Sequence, residues 1–236
     1  MNLYLNADCM NPETGLPSYP DNHFDLAIVD PPYGIGEDGG TNSSRSKLST
    51  AKTFEAKGWD KEAPKQAYFD ELRRVSKNQI VWGANHFISR IPFDSSCWIV
   101  WDKVNGETDF ADCELAWSSF KTAVRQFRFQ WQGMLQGNMK NKEQRLHPTQ
   151  KPMALYRWLL KNYAKQGDRI LDTHVGSASS LVVYEEMGFE YVGFELDTDY
   201  YKESCKRLEA FRAQPKLFSG GEIFAASKQP IQGSLF

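Results

Sequence analysis

The chain is expected to fold as an α/β protein, doubly wound around a mostly parallel sheet. Short apolar segments alternate with helical patterns, several of those segments end in an acid, and the composition is that of one globular domain. Its 236 residues are 41% hydrophobic and 25% charged, enough to bury a sizeable core. Residues 3–5 and 24–29 read as short buried strands, each followed by an aspartate, Asp8 and Asp30. A helical pattern at 65–75 leads into apolar strands at 79–82 and 97–101. A second run of helix 153–164, strand 169–171, helix 180–187, strand 191–194 and helix 199–211 makes a βαβ unit. Residues 34–57 and 133–145 are rich in small and polar residues and are expected to be loops, and from residue 214 onward neither period persists. The expected organisation is one domain over 1–212, with insertions around 34–57 and 121–146, and a flexible tail over 213–236.

Several classes of function are disfavoured. The longest apolar run, Cys97 to Trp101, has five residues where a membrane helix needs about 20. The first thirty residues carry Asp8, Glu13, Asp21 and Asp25 rather than a basic and apolar leader, so the chain is read as soluble, not exported and cytoplasmic. Four cysteines at 9, 97, 113 and 205 show no Cys-x-x-Cys, which signals neither a disulfide framework nor a zinc knuckle; no metal is expected. Cys9 and Cys113 are expected to be core thiols, and Trp82, Trp98, Trp101 and Trp117 to pack the sheet. A net charge of −2 leaves room for a local basic face but not for a basic surface overall.

The chemistry concentrates at Asp30-Pro31-Pro32-Tyr33, directly after an apolar strand and before Gly34-Ile35-Gly36. Two consecutive prolines stiffen the backbone and remove two amide donors, so the Asp30 carboxylate and the Pro31 carbonyl face outward as acceptors. Tyr33 adds a flat stacking face. Two acceptors beside an aromatic ring suit an exocyclic amine with two hydrogens to donate. Farther on, Asp172 ends a strand and Gly176-Ser177 opens a helix, while Glu195 lies 23 residues after Asp172 at the end of the next strand. That spacing is close to the roughly 20-residue offset at which an acid meets the ribose of a nucleoside cofactor.

In these residues the chain resembles the DNA amino-methyltransferases in which Asp-Pro-Pro-Tyr precedes the cofactor motif. Two further elements carry the resemblance: His147-Pro148-Thr149-Gln150-Lys151-Pro152, leading into a helix, and Asp172-Thr173-His174-Val175-Gly176-Ser177-Ala178, where the family usually has Asp-Pro-Phe and then Gly-Ser-Gly. The resemblance covers nearly the whole core. It implies a Rossmann-like class I methyltransferase fold with permuted motif order, and S-adenosylmethionine as cofactor. By position, Asp30, Pro31, Pro32 and Tyr33 become catalytic, and Asp8, His147, Thr149, Lys151, Asp172, His174, Gly176, Ser177 and Glu195 become cofactor-side residues. The implied reaction is methyl transfer to the N6 amine of an adenine flipped out of DNA. The same acceptors suit the N4 amine of cytosine, for which the family usually writes Ser-Pro-Pro-Tyr. The replacements at Thr173, His174 and Ala178 raise another alternative, an inactive DNA-binding accessory protein.

For DNA contact, residues 121–151 carry Lys121, Arg125, Arg128, Lys140, Lys142, Arg145 and Lys151 against Glu143 alone. Phe127, Phe129 and Trp131 alternate with Arg128 and Gln130 as on a two-faced strand, and Gln130, Gln132 and Gln136 are candidates for reading base edges. Arg45, Lys47 and Lys52 would bring a second loop to the DNA. In the tail, residues 214–218 and 232–236, the latter running from Gln232 to Phe236, both fit Gln-x-x-Leu-Phe. That pattern resembles the peptide that docks on bacterial sliding clamps.

Overall fold

A computed structural model describes residues 2–39, 57–91, 93–106, 111–132, 135–215 and 219–228. Its centre is an eight-stranded sheet made from β1 (Leu3–Asn6), β2 (Leu26–Val29), β3 (Gln79–Trp82), β4 (Ile99–Asp102), β5 (Cys113–Ser118), β6 (Arg125–Arg128), β9 (Arg169–Asp172) and β10 (Glu190–Glu195). The order across the sheet is β1-β10-β9-β2-β3-β5-β4-β6, and β5 alone runs against the other strands. The strands β7 (Trp131–Gln132) and β8 (Leu135–Gln136) form a separate antiparallel pair.

The inner strands carry apolar residues on both faces because both faces are covered. Leu26, Ile28, Ile80, Trp82 and Ile170 point to one side, into a core shared with α2 (Met153–Tyr163) and α3 (Ser179–Met187). Their neighbours Ala27, Val29, Val81 and Leu171 point to the other, against α1 (Gln66–Val75). This period-two division yields the doubly wound, mostly parallel architecture expected from the sequence. Trp82, Trp101 and Trp117 are buried and Trp98 packs at the margin of the core.

Three local expectations are corrected. Beyond α4 (Thr198–Arg212), the tail contains helix α5 (Gly220–Lys228), docked against α3 and α2. Phe224 is buried edge-on to Phe189, and the Lys228 ammonium caps carbonyls at the end of α2, those of Lys161 and Ala164. Paired glycines at its start and a single anchoring aromatic hide its period from a sequence reading. Within the expected loop at 133–145, residues 135–145 are organised by β8 and by reciprocal hydrogen bonds between the Gln136 amide and the Glu143 backbone. Cys113, at the start of β5, is exposed rather than a core thiol; Cys9 is buried. Both clamp-like pentapeptides, Arg45, Lys47 and Lys52 fall wholly or partly outside the described residues. Among the described residues, no helix is long and apolar enough to cross a membrane.

The topology has one consequence for chemistry. Because β1, β10, β9 and β2 are parallel neighbours, their C-terminal ends place Asp8, Glu195, Asp172 and Asp30 in sequence along one edge. In open α/β sheets this is the edge at which ligands bind.

Candidate active site

Asp30 follows β2 directly, and its loop is held by a residue 23 to 27 positions downstream of the amides it binds. The buried Asp60 carboxylate accepts hydrogen bonds from the backbone amides of Tyr33 (2.6 Å), Gly34 (2.9 Å), Ile35 (3.3 Å) and Glu37 (2.8 Å). Charge-assisted bonds of this kind are among the stronger ones in proteins, and four of them fix the loop. Sequence reasoning missed Asp60 because nothing local marks it as a cap for a distant loop.

The Tyr33 hydroxyl donates to Asp30 Oδ1 at 2.8 Å, and its ring stacks on His86 with centroids 5.1 Å apart. One face of the ring assigned to a nucleobase by the sequence is thus covered by an imidazole. Gly83, in the left-handed region at φ +69°, lets the chain pass this ring; a Cβ there would lie 2.0 Å from Tyr33 Cε1. Gly83→Ala is therefore expected to destabilise the fold by about 1–3 kcal/mol from backbone strain alone and to displace Tyr33. Denaturant titration measures the first effect, and Tyr33 ring NMR shifts report the second.

Lys151 departs from expectation. Its ammonium, from a buried side chain, lies 2.5 Å from Asp30 Oδ2, 3.0 Å from Glu114 Oε2 and 3.1 Å from the Tyr33 hydroxyl. It thus meets the catalytic tetrapeptide rather than the glycine turn. Glu114 in turn pairs with Lys103 at 2.5 Å. Burial works to raise the Glu114 carboxyl, but Lys151 and Lys103 override it and hold it at about 2. Burial pushes the Asp30 carboxyl up, against the pull of Lys151. Among the described residues, no donor reaches the Pro31 carbonyl.

Most of the expected cofactor-side residues gather at the neighbouring strand ends. Asp172 is buried, accepts from the Ser180 hydroxyl (2.6 Å) and the His174 amide (3.1 Å), and is pushed up to about 7 by burial. Glu195 accepts from the Gly176 amide at 2.7 Å and the Asp197 amide at 2.9 Å. The His147 ring lies within van der Waals reach of where a Gly176 Cβ would be, and packs against Trp59 and Tyr200. Thr149, exposed, bonds to His147 Nδ1 through its hydroxyl. Asp8, also exposed, lies just beyond β1 and accepts from the Met10 amide. The Ser177 hydroxyl is turned inward, buried against Ser179 and Arg207.

The three replacements in the glycine turn are each accommodated. Thr173 Oγ1 lies 2.6 Å from the Tyr68 hydroxyl and 2.9 Å from His174 Nδ1, closing a small polar network. Burial lowers His174 to about 4, so at neutral pH it is an uncharged aromatic wall, edge-on to Tyr68. Ala178 keeps the left-handed conformation, φ +58°, that glycine adopts more readily.

His147 provides a pH test. Burial, aided by Lys151, lowers it to about 3. As pH falls from about 6.5 the unfolded chain takes up a proton that the folded chain refuses, so this histidine reduces stability on the acid side. His147→Gln lacks this contribution and is expected to gain on the parent by at most about 2 kcal/mol between pH 7 and pH 5. Paired denaturant curves at the two pH values measure the gain.

The basic segment is only partly open. Lys121, Arg125, Lys140 and Lys142 are exposed, and so is Arg128 although it pairs with Asp102 at 3.4 Å. Arg145 instead packs over the Trp131 ring at 5.4 Å and is not an open cation. Gln136 is buried and spends its amide on Glu143, so it is not available to read bases. Among the described residues no group of three or more potential metal ligands gathers.

Comparison with known proteins yields consistent matches. A model of the N6/N4 family, described as DNA methylase, matches residues 81–206. The type II methyltransferase M2.DpnII of Streptococcus pneumoniae is 27% identical over 228 residues, spanning 79% of this chain and 83% of the relative. M.HinfI of Haemophilus influenzae, another type II methyltransferase, is 25% identical over 263 residues, spanning 91% and 70%. Among solved structures, the M1.HpyAVI–SAM complex aligns with a TM-score of 0.53 at 21% identity, covering 88% of this chain and 100% of that one. The cytosine-N4-specific PvuII DNA methyltransferase aligns with a TM-score of 0.53 at 14% identity, covering 95% and 93%. At these identities the structural likenesses show the fold.

Proposed function

The chain belongs to the N6/N4 DNA methylase family, and from that premise we propose that it transfers a methyl group from S-adenosylmethionine to the N6 amine of an adenine flipped out of DNA. The single observation that carries the reading is the Asp30 carboxylate beside a Pro31 carbonyl that no donor among the described residues reaches, one strand away from the Asp172 edge. The lettering Asp-Pro-Pro-Tyr, rather than Ser-Pro-Pro-Tyr, favours adenine over cytosine.

The strand edge fits the cofactor by its donor set. S-adenosylmethionine offers amine, ribose hydroxyl and ammonium hydrogens, and Asp8, Glu195 and Asp172 line consecutive strand ends as acceptors. Gly176 opens the approach, and His147 and His174 are the aromatic walls. When bound, the cofactor supplies a methyl carbon activated by its sulfonium, so the acceptor amine needs a free lone pair and a route for one proton.

The protein's own groups meet that need. Asp30 and the Pro31 carbonyl each accept one amine hydrogen, which withdraws the nitrogen lone pair from ring conjugation and fixes its direction. Asp30, ionised by Lys151 and raised by burial, is placed to take up the proton that the methylated amine sheds. Tyr33 supports the carboxylate through its hydroxyl. Flipping an adenine costs a few kcal/mol, which phosphate contacts from Lys121, Arg125, Arg128, Lys140 and Lys142 help to offset. The cytoplasm of a bacterial or phage-infected cell is the setting in which we place this activity. The terminal Gln232 to Phe236 pentapeptide is proposed as a sliding-clamp tether, and loss of clamp pull-down on deleting it is the expected outcome.

Incubating the protein with unmodified DNA and methyl-labelled S-adenosylmethionine, then digesting to nucleosides, tests the main reading. Label is expected in N6-methyladenine. Label in N4-methylcytosine would favour the cytosine alternative, and no label despite cofactor binding would favour an accessory role.

A further inference from the structure

We propose that Lys151, held by Glu114 and through it by Lys103, is a positioning residue that orients and ionises the Asp30 carboxylate for methyl transfer; this rests on the reading of Asp30 given above. The chain of contacts joins four elements. Asp30 follows β2, Lys151 lies just before α2, Glu114 is on β5, and Lys103 follows β4. Successive nitrogen–oxygen distances along it are 2.5, 3.0 and 2.5 Å. The side chain of Lys151 is 2% exposed, so its charge is not screened by solvent and needs both carboxylates.

The arrangement suits positioning for two reasons. A lone Lys–Asp pair leaves the carboxylate free to rotate about its side-chain bond. Here Oδ2 is held by Lys151 and Oδ1 by the Tyr33 hydroxyl, and Lys151 itself bridges to that hydroxyl at 3.1 Å. The Asp30 plane is thereby fixed, with lone pairs left over for an amine. The antiparallel β5 also acquires a purpose beyond the sheet: it delivers Glu114 opposite Asp30, so that Lys151 is drawn between two anions rather than collapsing onto one.

The groups that act on Asp30 define the test. Tyr33 and Lys151 touch it and Glu114 stands across Lys151, while Tyr68 of α1, Tyr156 of α2 and Asp172 of β9 are near enough to interact electrostatically. Removing the cation should make Asp30 harder to ionise, and removing the Glu114 anion should make it easier.

The experiment is the pH–rate profile of DNA methylation by the parent, Lys151→Met, Lys151→Arg and Glu114→Gln, with S-adenosylmethionine affinity measured by calorimetry on each. Lys151→Met is expected to lower kcat tenfold to a hundredfold and to move the acid limb up by about one pH unit, with cofactor affinity within twofold of the parent. Lys151→Arg is expected to keep the limb in place at a reduced rate. Glu114→Gln, which also serves where Lys151→Met does not fold, is expected to lower kcat and move the limb down. An unmoved limb in both Lys151→Met and Glu114→Gln, or in Glu114→Gln alone where Lys151→Met does not fold, overturns the proposal. So does a loss of cofactor affinity that accounts for the rate. Asp30→Ala is assayed alongside: if it stays active, the underlying reading of Asp30 fails and this proposal with it, whereas an inactive Asp30→Ala with unmoved limbs removes the positioning chain alone.

Discussion

Asp30→Ala is expected to lower methyl transfer at least about a hundredfold while leaving S-adenosylmethionine affinity within twofold of the parent. The substitution deletes one of the two acceptors facing the amine and the only one able to take a proton. It does not touch Asp172, Gly176 or Glu195, whose hydrogen bonds run from the Ser180 hydroxyl of α3 to Asp172 and from the Gly176 and Asp197 amides to Glu195. Lys151 keeps Glu114 as a partner, so the fold should hold, which a thermal melt checks. The separation is the point of the measurement. A variant that binds the cofactor normally but does not methylate locates the defect at the amine, whereas parallel losses in both would place Asp30 on the cofactor side.

Asp60→Ala is the second large effect. Four backbone amides lose their acceptor at once, and although water can reach part of the loop, a loss of about 2–4 kcal/mol is expected. Activity should fall as well, because Tyr33 and Asp30 would no longer be held against Lys151. Asp60→Asn keeps an acceptor oxygen but turns an amide group toward the remaining donors, so it should fall between the parent and Asp60→Ala in both stability and kcat. Denaturant unfolding and steady-state kinetics on the pair read the two quantities separately. Equal stability in all three proteins would show that the loop does not depend on this carboxylate.

Much of the architecture was legible because it is written locally. Runs such as Leu26 to Val29 carry no polar residue, which a strand buried on both faces requires, and their acids fall where parallel strands end. Asp30, Asp172 and Glu195 could therefore be placed on one edge before any coordinates. What escaped was non-local. Glu114 stands in a six-residue strand that runs from one exposed residue through two half-buried ones to three buried ones, so β5 shows no clean alternation, and its pairing with Lys151 spans 37 positions. Asp60 acts on a loop more than twenty residues upstream. Lys151 belongs to a hexapeptide whose His147 does lie beside Gly176, yet four residues on the chain has turned to the other side of the site. Helix α5 is anchored by one aromatic after two glycines, too little for a periodic signal.

The proposal that Asp30 directs methylation to the N6 amine of adenine in DNA is decided by methylation-sensitive sequencing of DNA from cells expressing the parent or Asp30→Ala. The expected result is N6-methyladenine at one recurring sequence with the parent and none with the variant. N4-methylcytosine in place of N6-methyladenine, or the same modification with Asp30→Ala, would contradict it.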